Sequence, residues 1–190
     1  MSAYIQILEH IEREILELSY HISFEEKQKR VYSPKIADLI IRLGGLLESV
    51  IKDEYRSRVG EIGRVSYDDD EVIKKLNLEN KKVYLTMENC DFTKKEYKPF
   101  IKDQERLNKQ MTNFHKRGET NYCWNNAYQS LRHQFIQMIP EYGTLEYLFA
   151  ILSAVSALLN NKGEIFSTLD GDTYWKKSGN IAIRKRVKQD

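Results

Sequence analysis

The chain has 190 residues, 41% of them hydrophobic and 31% charged, which is enough apolar material for one real core and a length typical of a single domain. Its formal charge of +2 is close to balance, so bulk electrostatics do not announce a nucleic-acid binder and any such partner must be met by a local patch. No apolar signal core follows Met1, no run approaches the roughly 20 apolar residues of a bilayer span, and Cys90 and Cys123 lie outside any Cys-x-x-Cys or zinc spacing; the expectation is a soluble, cytoplasmic protein with reduced thiols, no membrane contact and no metal.

From Ser2 to about Phe24, Ile5, Leu8, Ile11, Ile15, Leu18 and Ile22 recur every three or four positions, the period of an amphipathic helix, with Glu9, Glu12, Arg13, Glu14 and Glu17 on its other faces. A polar break over Glu25 to Tyr32 precedes Ser33-Pro34, a strong helix start because Ser caps free N–H groups and Pro fits the first turn. The helix that follows runs to about Arg56. Its Ile36, Leu39, Ile40, Leu43, Leu46, Leu47, Val50 and Ile51 make it apolar on two sides, as a central helix must be. Gly44-Gly45 in its middle costs about 1 kcal/mol per glycine relative to alanine, and close approach of another helix is the natural compensation.

Residues 60–115 read as an irregular insertion. Asp68-Asp69-Asp70 ahead of Glu71-Val-Ile-Lys-Lys-Leu reads as the capped start of a short helix, and less well as a metal site. Lys82-Val-Tyr-Leu-Thr alternates like a strand, Pro99-Phe100 marks a turn, and Ile101 to His115 is expected to be helical, ending in the loop Lys116-Arg-Gly-Glu. A further helix is predicted from about Tyr122 to Met138, stopping at Ile139-Pro140 because the residue before proline avoids the helical region. Thr144 then caps the most apolar helix, Leu145 to Leu159, which its neighbours must enclose. Beyond it lies a basic extension over about 160–190, in which Asn180 to Arg184 suggests an edge strand pairing with Lys82 to Thr86, and Arg184, Lys185, Arg186 and Lys188 form a basic tail.

The stretch from Asn121 to Phe135, NYCWNNAYQSLRHQF, carries the functional expectation. At helical spacing Trp124, Tyr128, Leu131 and Phe135 form one stripe that must face a core, while Asn125, Gln129 and His133 form a polar line beside it, with Arg132 flanking His133. A titratable pair on the border of a buried stripe is where a histidine can be moved across neutral pH.

Ser33 to Lys52 resembles the first core helix of bacterial HEPN-like proteins. Trp124-x-x-x-Tyr128-x-x-x-Arg132-His133 resembles their later Trp…Tyr-Asn…Lys-His helix, and Thr144 to Leu158 the apolar helix that follows it. The resemblance covers about half of the chain. It implies an all-α, up-and-down helical bundle that pairs as a homodimer and, in many members, acts as a metal-independent endoribonuclease in phage defence, toxin systems or RNA processing, with no cofactor. Active members carry an Arg and a His with four to six residues between them. The corresponding positions here are Tyr128, Ala127 and Asn126, and the chain offers Arg132 beside His133 instead.

Cleavage by an RNA 2′-hydroxyl needs a proton acceptor, a proton donor for the leaving oxygen and a cation at the phosphorane. His133 is the candidate acid or base and Arg132 the candidate phosphate ligand. Asn125, Asn126, Gln129 and Tyr128 are the candidate substrate contacts, with Glu48 holding Arg132 or His133 in place, and a second copy across a dimer axis supplying the missing group. The plainer alternatives are a helix-border histidine, an Arg132 ion pair with Glu48 or Glu141, and Trp124 and Tyr128 as core. They add up to a catalytically silent HEPN-like scaffold for a protein partner or nucleotide.

Overall fold

The computed structural model describes residues 2–61, 63, 66–83, 96–102 and 122–159, with the backbone of 173–178 and 181–186. The protein is an all-α bundle. Its first helix, α1 (Ser2–Ser19), turns Leu8, Ile11, Ile15 and Leu18 into the core. It ends five residues before Phe24 because the Ser19 hydroxyl donates to the Leu16 carbonyl at 2.6 Å and the backbone N–H groups of His21 and Ile22 both return to Leu18. Phe24 still reaches the core, edge-on to Phe149 with ring centroids 5.2 Å apart. Glu12, read as an outer-face residue, is fully buried.

The second helix, α2 (Pro34–Arg58), begins as its sequence predicts: the Ser33 hydroxyl accepts from the Ile36 N–H at 3.1 Å and Pro34 occupies the first turn. It is buried on several sides and forms the axis against which α1 and the later helices pack. α1 lies antiparallel to it, since the Tyr4 hydroxyl donates to Asp53 near the end of α2 whereas Glu14 pairs with Lys35 and, at 2.5 Å, with Arg42 near its start.

A short helix, α3 (Asp70–Lys75), follows the acidic run. Asp69 stands at the cap position without a side-chain capping bond, because its carboxylate accepts from the Ser66 N–H at 2.9 Å; Asp70 and Glu71 fill the first turn, where negative charge opposes the helix dipole. Of the expected strand at Lys82 to Thr86, Lys82 and Val83 are described, and Val83 bridges Tyr97. Pro99-Phe100 forms the predicted turn, Ile101 and Lys102 are not helical, and the rest of the expected 101–115 helix, like Cys90, His115 and Lys116 to Glu119, lies outside the described residues.

The predicted helix from Tyr122 to Met138 is two helices. α4 (Cys123–His133) stops at Gln134, whose backbone leaves the helical region at φ −139° and ψ 54°, and α5 (Phe135–Tyr142) starts at once and carries Pro140 within it. Proline removes one backbone N–H donor, and the carbonyl that loses its partner belongs to Ile136, which is 78% exposed and can be solvated. The break falls six residues before the proline that was expected to cause it.

Gly143 and Thr144 lead into α6 (Leu145–Leu158), which is buried almost throughout. Thr144 makes no side-chain cap. The first free N–H groups of α6 are taken instead by the chain ahead of α2: Leu145 donates to the Val31 carbonyl at 3.2 Å and Glu146 to Lys29 at 3.1 Å, while Ser33 N–H donates to Gly143. Tyr32 and Thr144 form an isolated antiparallel bridge at this junction. α2 and α6 therefore start together and run in the same direction. Among the described residues no helix is long and apolar enough to cross a membrane.

The backbone at the carboxy-terminal side forms a hairpin, β1 (Thr173–Ser178) antiparallel to β2 (Ile181–Arg186). The strand expected near Asn180 is thus present, and its partner is the adjacent 173–178 segment; of the pairing segment expected at Lys82 to Thr86, residues 84–86 lie outside the described residues.

Candidate functional site

α4 crosses α2 at Gly44. A Cβ there would lie 2.2 Å from Cδ2 of Tyr128, so the glycine lets the aromatic ring rest directly on the backbone of α2; Gly45 has nothing within 4 Å of the corresponding position. The expected compensation for the paired glycines therefore applies to the first of them. With the ring seated there, the Tyr128 hydroxyl donates to Glu48 Oε2 at 3.1 Å, one turn along α2.

Three donors meet on that carboxylate. Besides Tyr128, Lys52 Nζ lies 2.5 Å from Oε1, and an Arg132 guanidinium nitrogen lies 3.5 Å from Oε2 and 3.3 Å from the Tyr128 hydroxyl oxygen. The Arg132 guanidinium also stands 5.7 Å from the Tyr128 ring centroid, within cation–π range. Glu48 is the covered member, its side chain 20% exposed, whereas Lys52 and Arg132 are 42% and 50% exposed. Burial, and after it the Glu48 charge, raise the Tyr128 hydroxyl above the usual phenol value, so it remains a donor at neutral pH.

A second polar group adjoins the first. The buried Tyr67 hydroxyl donates to Asn125 Oδ1 at 2.5 Å and accepts from Gln129 Nε2 at 3.0 Å, and Asn125 Nδ2 donates to Asp68 Oδ2 at 2.8 Å. Burial is the main reason the Tyr67 phenol is pushed far above its ordinary range. Lys52 links the two groups, its ammonium 5.7 Å from the centre of the Tyr67 ring. The result is a polar seam between α2 and α4, closed over by residues 66–68 and opening to water at Lys52 and Arg132.

The six residues named from α4 fall into two sets. Asn125, Asn126 and Tyr128 are buried, and the first and third are committed to internal hydrogen bonds; Gln129 is half-buried on Tyr67. Arg132 and His133 are exposed on the last turn of α4. Among the described residues His133 has no hydrogen-bond or ion-pair partner, so Glu48 holds Arg132 and not the histidine. Trp124 is fully buried, its indole N–H donating to the Pro99 carbonyl at 2.7 Å and its ring stacked on Tyr122 at 5.7 Å. It serves as core. Tyr67, Asp68 and Lys52 escaped sequence reasoning. Lys52 was legible as a partner of Glu48 four residues on, but nothing in the irregular 60–69 stretch marks Tyr67 and Asp68 as partners of Asn125.

Together the fold and the seam define an all-α bundle with an internal polar network that surfaces beside an exposed Arg-His pair. Comparison with protein-family models, curated proteins and solved structures found no match to this chain.

Proposed function

We propose that the protein is a cytoplasmic, HEPN-like helical module that binds RNA, in a bacterial or phage-related defence system, through the surface at the end of α4. The observation that carries this reading is the exposure of Arg132 and His133 side by side on that last turn, with Lys52 of α2 on the same Glu48 carboxylate. A guanidinium and an ammonium suit a phosphodiester, the former in two-pronged geometry.

In the catalytic form of the proposal, His133 takes the 2′-hydroxyl proton and Arg132 stabilises the phosphorane. A second copy of the chain, related by a two-fold axis, brings the group that protonates the leaving oxygen. No metal is required. Purified protein is incubated with mixed RNA, with and without chelator, beside His133→Ala and Arg132→Ala. The proposal expects RNA retention that Arg132→Ala weakens across all sequences and, if the pair is catalytic, chelator-resistant cleavage falling about 10²–10⁴-fold in His133→Ala. Protein that neither retains nor cuts RNA at low salt would sink both forms.

The second reading, a catalytically silent module that binds a protein partner, is favoured by one observation: Arg132 is already engaged by Glu48 and Tyr128. RNA neither retained nor cut, by the parent or by either variant, supports it.

A further inference from the structure

The arrangement around Glu48 is that of an occupied anion site. A primary ammonium, a guanidinium and a phenol hydroxyl, from two helices, converge on the two oxygens of one carboxylate. These donor types suit a phosphate oxyanion equally well, and two of the three are cations about half exposed to water. The carboxylate beneath them is built in: Glu48 projects from the middle of α2, flanked by buried Leu47 and within one turn of Gly44, where the Tyr128 ring is locked.

We infer that Lys52 and Arg132 form a phosphodiester clamp that Glu48, anchored by the Tyr128 hydroxyl, holds closed as an internal competitor. The inference rests on the RNA reading and deepens it by naming how that site is regulated and by adding Lys52 to it. An incoming phosphate swings the half-exposed cations outward and shares them with Glu48, while Tyr128 stays seated on Gly44 and keeps its bond to the carboxylate. Ion pairs with this exposure are individually weak, so an external anion can compete with them. Asp68, beside Tyr67, is held by Asn125 and by the Ser66 hydroxyl, whereas Glu48 is the carboxylate that both cations contact, so Glu48 masks the clamp.

Glu48→Gln tests this, since the amide keeps an oxygen to accept from Tyr128 while losing the charge. Glu54→Gln is the control: it removes the same charge from the same helix, where the carboxylate pairs with Arg58 at 2.6 Å. Full-length proteins are titrated with labelled single-stranded RNA and, separately, with inorganic phosphate followed by thermal shift and ³¹P line width. Glu48→Gln should bind RNA roughly two- to tenfold more tightly than Glu54→Gln and gain a phosphate-dependent melting shift, and adding Lys52→Ala should remove both gains. Equal affinities for the two single variants, with no phosphate shift in Glu48→Gln, overturn the clamp while leaving RNA binding intact. A phosphate shift without RNA binding in any variant keeps the clamp and overturns the RNA reading. Silence toward both ligands overturns both.

Discussion

Gly44 and Gly45 are neighbours with opposite duties. At Gly44 an added methyl group would enter the Tyr128 ring at 2.2–2.7 Å, and a ring seated on backbone cannot yield as a flexible chain end can. Gly44→Ala should destabilise the protein by about 1–3 kcal/mol and dislodge Arg132 from its place over the ring. Gly45→Ala meets nothing and should stabilise by roughly 0.5–1 kcal/mol, because a helical glycine gives up more backbone freedom than alanine. Urea melts of the two variants check both signs. Tyr67→Phe is the corresponding test of the seam: it leaves buried Asn125 Oδ1 and the Gln129 amide without their shared partner, and should cost about 1–3 kcal/mol. At this scale the sequence was informative about residue type and silent about pairing. The helical period separates Trp124 and Tyr128, which are buried, from Arg132 and His133, which are exposed. It does not show that Asn125 and Gln129, read as a polar line beside the core stripe, turn toward a tyrosine 58 and 62 positions earlier.

Among whole elements, α1 and α2 were legible because each carries a long periodic apolar face, with a capping serine besides at α2, and α6 because it is apolar almost all round. Ends and breaks were not. The proline at 140 advertised a stop that the chain makes at Gln134, and Thr144 advertised a cap that the 29–31 segment supplies through its carbonyls. Both depend on tertiary neighbours, which local propensity does not encode. How α1 docks also carries a prediction. Burial alone would raise the Glu14 carboxyl, but hydrogen bonds from Lys35 and Arg42, with their charges, outweigh it and hold the value below the ordinary 4.5. A carboxyl depressed by folding adds stability above its unfolded value and loses it as pH falls through the folded one. Glu14→Gln should therefore lower the urea midpoint at pH 7, and the gap between variant and parent should close as pH drops through and below about 4.5.

Across the molecule, the core belongs to neither half of the sequence. α2 and α6 start at one junction, where Tyr32 bridges Thr144, and their far ends meet again at a pocket of about 270 Å³ lined by Glu54, Arg58, Ala157 and Leu158 among others. Neither helix can bury its apolar surface without the other. A fragment of residues 1–121 should consequently bind a hydrophobic dye, exchange its α2 amides fast and melt without a cooperative transition, and adding residues 122–190 in trans should restore protection. Protected amides in the isolated fragment would show that α1 and α2 suffice by themselves.

The same side-by-side start has a cost in time during synthesis. The first residues of α2 and α6 are 111 positions apart, so at typical elongation rates the start of α2 leaves the ribosome tunnel roughly 5–20 s before the start of the helix that covers it. Through that interval the longest greasy surface of the nascent chain is open to chaperones and to neighbouring polypeptides. The yield of this protein in a cell should accordingly respond to holdase supply, and to codons that slow translation between the two helices, more sharply than to changes in the finished fold.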